Sequence, residues 1–288
     1  ILGGITPGPW PQPSRRKERQ PARPGRHRIF TRKLESSKIM DPEIQKQLHF
    51  LGLRGLSENW DRVFSEANKN KPSYHRFLTE ILSQEYSGKK EKRRFARIKR
   101  ARIPQALVME TFPFAKQPNL KKKAVLELYD SMNFVTQKQS LVFIGPTGCG
   151  KTGLATAFLI HALNHDYQGC FIEFKDLLDR LYQSIADHTE KKIIKRFQAY
   201  DCLVIDELGT VPAERQQAGL FFELMKKRHR NSTTLITTQL GFDQWGDFLN
   251  NPHLTAALLD RLTENCTVFN MKHCLSLRPK NIIYATAD

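Results

Sequence analysis

Past residue 105 the chain alternates short apolar runs with amphipathic stretches. SLVFIG, CFIEF, CLVIDEL, TTLITTQL and TVFNM have the length and β-branched content of buried strands, whereas LATAFLIHAL, DLLDRLYQSI, GLFFELMKKRH and LTAALLDRL carry helical spacing. Strands alternating with helices predict a mostly parallel sheet covered by helices on both faces. Upstream the pattern is helical throughout. Leu53, Leu56, Trp60 and Phe64 recur at steps of three, four and four, and Tyr74, Phe77, Leu78, Ile81 and Leu82 form a second apolar stripe beyond the polar linker NKNKPS. Pro104 and the proline-containing TFPFAKQPN then mark a boundary near residue 105. Three segments follow: a leader over 1–39, a helical domain over 40–104, and an α/β domain over 105–288. The leader holds six prolines and no hydrophobic period, so it is expected to be disordered, and Met40 is the candidate native start.

Charge sharpens this division. Lys and Arg total 46 against 29 acids, a formal charge of +17. The leader holds ten bases and two acids, residues 40–104 hold fifteen and eight, and the remainder is close to balance at twenty-one and nineteen. A basic front on a near-neutral body suits a polyanion, nucleic acid above all, although a solvated basic face has the same composition. Nine of the fourteen residues from Lys89 to Arg102 are basic. On a helix Lys89, Arg93, Arg97 and Arg100 fall on one side, with Phe95 and Ile98 opposite. The expectation is a helix docked by its apolar back, with Lys89, Lys90, Arg93, Arg94, Arg97 and Arg100 available to DNA phosphates; the alternative is a solvated linker helix. The five cysteines are scattered with no CxxC pair, so neither a disulfide framework nor a structural zinc is expected. No leader of the secretory type and no stretch of membrane-spanning length is visible, which predicts a cytoplasmic protein with no membrane partner.

The strongest chemical signal is GPTGCGKT, residues 145–152, which fits G-x-x-x-x-G-K-[ST] between a strand-like and a helix-like run. Gly145, Pro146, Thr147, Gly148, Cys149 and Gly150 would curl so that backbone N–H groups and a helix N-terminus face the phosphates of ATP. Lys151 adds a cation for the β- and γ-phosphates, and Thr152 a hydroxyl for Mg²⁺. A partner acid is expected at the end of a neighbouring strand, and CLVIDEL supplies two. Asp206 would hold Mg²⁺ through water and Glu207 would act as general base on the attacking water; a helix-capping pair is the alternative.

These motifs resemble the AAA+ ATPases and, within them, the IstB-type transposition helper ATPases, with helicase loaders of the DnaC type as near relatives. The resemblance rests on LRGLSENW, the basic segment before Pro104, GPTGCGKT, VIDELGTVP, TTLITTQLGFDQWGDFLNNP and AALLDRL, in that order, and covers nearly everything after Met40. It implies a P-loop AAA+ core behind a small all-helical basic domain, without a C-terminal helical lid. It also implies an ATPase that forms ATP-dependent homo-oligomers on duplex DNA and serves an IstA-like transposase, with a DnaC-like helicase loader as the alternative. Arg261 in LLDRL matches the family's arginine finger, which acts on a neighbouring subunit's nucleotide; the competing reading is an ion pair with Asp260 or Glu264. At the sensor position, where relatives commonly carry Asn, this chain has Gln239 after Thr237 and Thr238. Gln239 and Thr238 are therefore the candidates for orienting the water. Arg278 is a weaker candidate phosphate contact, and Trp245 is expected to be a packing anchor.

Overall fold

The computed structural model describes residues 40–105 and 107–277. The leader, Arg278 and the residues after it lie outside the described residues. The described residues separate into two compact units, with the division between residues 71 and 72.

The first unit is helical. Helix α1 (Pro42–Leu51) starts on Asp41, whose carboxylate accepts from the Glu43 N–H at 2.8 Å, and stops at Gly52 with φ 68°. The apolar stripe from Leu53 to Phe64 spans two helices, α2 (Arg54–Glu58) and α3 (Trp60–Asn70). Asn59 interrupts them, its backbone leaving helical geometry while its side-chain amide donates to Gly55 O at 2.9 Å. Across that break the period survives, with the Trp60 and Phe64 rings 4.3 Å apart.

The second unit opens with α4 (Tyr74–Arg100), one helix of 27 residues where the sequence suggests an apolar helix followed by a basic one. Ser73 caps it by accepting from the Arg76 N–H, and a Cβ at Gly88 would meet nothing, so no steric feature breaks it. After two single-turn segments come α5 (Lys122–Ser131), α6 (Asn133–Thr136), β1 (Ser140–Ile144), α7 (Lys151–Asn164), β2 (Gly169–Glu173), α8 (Phe174–Ala186) and α9 (Glu190–Gln198). The chain continues through β3 (Cys202–Leu208), α10 (Arg215–Arg228), β4 (Thr233–Thr238), α11 (Trp245–Leu249), α12 (Pro252–Glu264) and β5 (Cys266–Asn270). All strand pairs are parallel, in the order β2-β3-β4-β1-β5. The expected parallel sheet is therefore present.

Strand alternation sorts the core into two halves. Leu141, Phe143, Val204, Leu235 and Phe269 join one cluster with α7 residues such as Leu154 and Phe158. Val142, Ile144, Leu203, Ile205 and Ile236 join the other with Phe174, Phe221 and Leu258. Both faces of the sheet are thus covered, which is why the strands read as continuous apolar runs. Trp245 is fully buried against Phe242 and Phe248. Arg228 is also buried; its guanidinium donates to the carbonyls of Phe197, Tyr200 and Thr233 and to Thr234 Oγ1, tying the end of α9 to β4. Burial lowers its pKa to about 10, which leaves it charged at neutral pH.

The basic half of α4 turns a different face to the core from the one its charge pattern suggests. Arg97 is buried; its Nε donates to Leu163 O at 2.9 Å and its guanidinium pairs with Asp166 at 2.6 Å. Arg94 Nε donates to Asn164 Oδ1 at 2.7 Å. Both therefore serve the C-terminal end of α7, where unpaired carbonyls and the negative end of the helix dipole favour a cation. Phe95, expected at the back, is 70% exposed, while Ile98 packs on the core. The face presented outward carries Lys92, Phe95 and Lys99, displaced by roughly 120° from the expected stripe at 100° per residue. Lys90, Arg93 and Arg100 remain exposed, and Lys89 is partly so. The helix end is fixed by Phe171 N–H, which donates to Ala101 O at 2.7 Å.

Candidate functional site

The carboxyl ends of β1, β3 and β4 adjoin, and the residues that follow them surround a cavity of about 500 Å³, within the roughly 300–1,000 Å³ usual for small-molecule sites. Its floor is the glycine-rich loop. Gly145 follows β1 directly, its N–H donating to Thr238 O at 3.1 Å, and a Cβ there would lie 2.8 Å from both Met271 Cβ and its carbonyl oxygen. Gly148 and Gly150 have φ of 82° and 99°, which side chains rarely adopt. A Cβ on Gly150 would also strike the Phe112 ring at 2.8 Å. Three glycines are thus required by contact or conformation. Cys149 between them is fully buried and belongs to the core cluster beneath the loop.

From this loop α7 begins at Lys151, so its unpaired N-terminal amides belong to the same turn. The Lys151 ammonium folds over the loop and donates to Gly145 O and Pro146 O, both at 2.8 Å. Thr152 Oγ1 donates to the Asp206 carboxylate, 3.0 Å from Oδ1 and 3.2 Å from Oδ2.

The acidic pair owes its placement to a register shift. Ile205 pairs with Ile236 and Leu208 with Thr238, so Asp206 and Glu207 together face the single residue Thr237. Such a bulge re-aims side chains, and here Glu207 takes a φ of 56°. Thr237 locks it: its hydroxyl donates to Asp206 Oδ1 and accepts from the Glu207 N–H at 2.9 Å. Asp206 is buried while Glu207 is exposed and lines the cavity. Burial raises the Asp206 pKa above its ordinary value, outweighing the hydrogen bonds from Thr237 and Thr152 that pull it down.

A buried carboxylate held at such cost, 3.0 Å from a threonine hydroxyl, suits a hard divalent cation. Thr152 and Asp206 supply one hydroxyl and one carboxylate, the sparse protein set that Mg²⁺ accepts when phosphates and water complete its shell. Among the described residues no three acid, histidine or cysteine side chains cluster as metal ligands. The residues therefore fit Mg²⁺ held jointly with a nucleotide.

The remaining sequence candidates divide. Thr237, Thr238 and Gln239 all line the cavity. Thr238 Oγ1 donates to Leu208 O at 2.8 Å and accepts from the Leu240 N–H at 3.0 Å, which makes it a fastener of the chain after β4. Gln239 is exposed there. Arg261 is elsewhere on the same unit: it does not line the cavity, its Nη1 donates to Ala257 O at 2.7 Å, and its guanidinium lies 5.2 Å from the Phe222 ring. Glu264, one of its candidate partners, instead binds Arg230 and His229.

Two features escape a reading of motifs. The cavity is also lined by the apolar residues Leu107, Val108, Phe112 and Leu277, drawn from segments before α5 and after β5. The bridging role of Thr237 is equally hidden, although the threonine pair ending an apolar strand hints at polar work there.

The sequence profile of the family described as IstB-like ATP binding protein matches residues 46–283. A Pseudomonas aeruginosa protein named for ATP binding and for the insertion sequence IS21 is 30% identical over 230 residues, covering 80% of this chain and 86% of its own. A Geobacillus stearothermophilus protein named likewise for IS5376 is 28% identical, covering 81% and 92%. Among solved structures, the replication initiator DnaA bound to AMPPCP and single-stranded DNA is similar in fold, with a TM-score of 0.50, 15% identity, and coverage of 59% of this chain and 51% of that one. Among the described residues no helix is long and apolar enough to cross a membrane. With its all-parallel sheet, a glycine-rich loop between β1 and α7, and a profile match over most of its length, this chain belongs to the IstB-like ATP-binding protein family.

Proposed function

We propose that the protein is an ATP-hydrolysing, DNA-binding helper of a transposase in bacterial insertion-sequence transposition, acting in the cytoplasm on duplex DNA. The observation that supports the reading is the bulge in β3, which accompanies Asp206 bonded to Thr152 and Glu207 lining the same cavity as the phosphate loop. A triphosphate in the cavity would draw Lys151 from the loop carbonyls onto its β- and γ-oxygens, exchanging two neutral acceptors for an anion. Thr152 and Asp206 would hold Mg²⁺, which supplies positive charge beside those oxygens. Glu207, exposed and lining the cavity, would accept a proton from an attacking water, and Gln239 would orient that water.

Arg261 gives the reading its oligomeric form. Because it does not line its own cavity, it would stabilise transition-state charge only on the nucleotide of a neighbouring copy, so hydrolysis becomes conditional on assembly. DNA supplies the lattice for assembly. The exposed cations of α4, namely Lys90, Arg93 and Arg100 with Lys92 and Lys99, and the partly exposed Lys89 support phosphate binding, whereas Arg94 and Arg97 are engaged within the fold. Recruitment of an IstA-like transposase is supported by relatives named for insertion sequences.

ATP turnover measured against protein concentration, with and without duplex DNA, tests the reading as a whole. Turnover per subunit should rise with both; a rate indifferent to both would contradict it, and stimulation by single strands alone would favour the helicase-loader alternative. In the same assay Arg261→Ala and Lys151→Ala should each be inactive, and mixing them should restore part of the rate. No recovery on mixing would count against a finger acting in trans. Glu207→Gln should still bind ATP but turn it over about 10²–10⁴-fold more slowly; a parental rate would place the base elsewhere. Asp206→Asn tests the burial cost. Because its pKa is raised in the folded state, the native protein binds that proton more tightly than the unfolded chain, so the ionised carboxylate costs stability above the ordinary carboxylate range and nothing well below it. The variant should melt at a higher temperature than the parent at neutral pH without nucleotide. The difference should vanish toward about pH 3. A lower neutral-pH Tm would contradict the assignment.

A further inference from the structure

Gln117 belongs to none of the nucleotide motifs, yet it is 1% exposed and makes three hydrogen bonds with two distant parts of the chain. Its Nε2 donates to Cys149 O in the phosphate loop at 3.0 Å and to Leu275 O at 2.6 Å, and its Oε1 accepts from the Leu275 N–H at 2.9 Å. Two carbonyls and one N–H surround the amide, so only this orientation satisfies all three partners.

The segment that Gln117 grips runs back over the phosphate loop. Met271 N–H donates to Ile144 O at 2.6 Å, and its side chain and carbonyl fill the space a Cβ on Gly145 would need. Asn119 Nδ2 donates to His273 O at 3.0 Å. Leu277 N–H donates to Gly148 O at 2.8 Å, and the Leu277 side chain lies against Gly150 while forming part of the cavity's apolar wall. The carbonyls of Gly148 and Cys149 are thus both engaged by this strap or by its anchor. In a trans peptide the N–H points opposite to the carbonyl, so these bonds also set the directions of the Cys149 and Gly150 N–H groups, the donors such loops use for anions.

We infer that Gln117 is a positioning residue for nucleotide binding: through Cys149 O and Leu275 it couples the phosphate loop to the strap of residues 271–277, so that the strap closes one wall of the cavity and the loop is held ready for phosphate. The inference rests on reading the cavity as the ATP site. Nothing in it requires Gln117 to touch nucleotide.

Gln117→Leu keeps the bulk and removes the donors and the acceptor. Its KM for ATP should rise about tenfold, since two carbonyls lose their partner, while kcat at saturating ATP stays within about twofold of the parent. Hydrogen exchange at the Leu275 and Leu277 amides should accelerate in the nucleotide-free variant, and in the parent it should slow when AMPPCP is added. Leu277→Pro, which removes the donor to Gly148 O and spares Gln117, should raise KM in the same direction by less; in case Gln117→Leu does not fold, that variant and the exchange in the parent decide the matter. An unchanged KM, a fall confined to kcat, or exchange at Leu277 indifferent to AMPPCP would overturn the coupling. Failure of the parent to bind ATP would instead overturn the ATP reading, while exchange in nucleotide-free Gln117→Leu still tests the grip itself.

Discussion

A carboxylate in the interior is the constraint on which the rest of the site depends. Asp206 lies between two threonine hydroxyls, directly after the apolar residues 202–205 of β3, where burial works against its charge. Isolated carboxylates in such surroundings are expensive, and proteins keep them where a cation or a reaction repays the cost. The one-residue slip between β3 and β4 makes this possible, because it places two acids opposite one threonine and turns the second outward. Without the slip, strict alternation would send Glu207 toward the apolar cluster on the other face of the sheet.

The fold is arranged to hold that geometry still. Parallel strands bring the ends of β1, β3 and β4 into register, and two apolar clusters clamp the sheet from both sides. The phosphate loop is fastened from several directions: by Thr238 through Gly145, by Leu277 through Gly148, and by Gln117 through Cys149. Its glycines are dictated by what approaches them, since Met271 and Phe112 occupy the places where side chains would project. Rigid placement of few groups is what electrostatic catalysis requires.

Motif and periodicity carried most of this into view. The strands, the parallel sheet, the loop over Gly145–Thr152 and the Asp206–Glu207 pair were legible because each depends on local spacing. What stayed hidden depends on contacts between distant segments. Charge pattern alone put Arg97 on the outside of its helix, but the carbonyls ending α7 and the carboxylate of Asp166 offered it better partners within the fold. Gln117 has no periodic signature, and its partners lie 32 and 158 residues away. Thr237 carries no signal of its own beyond adjoining Thr238 and Gln239, because a register slip cannot be read from one strand. The sequence also divides 40–104 from 105–288, whereas α4 lies within the compact unit that begins at residue 72. Its basic half is tied to α7 by side chains that composition marks merely as surface charge.

Everything proposed for the molecule requires a nucleoside triphosphate to sit on the glycine loop with its charge met by Lys151. Titration calorimetry of AMPPCP with Mg²⁺ into the parent and into Lys151→Ala tests this most directly. One site per chain is expected in the parent, weakened when Mg²⁺ is omitted and lost in the variant. Equal affinity in both proteins would contradict it.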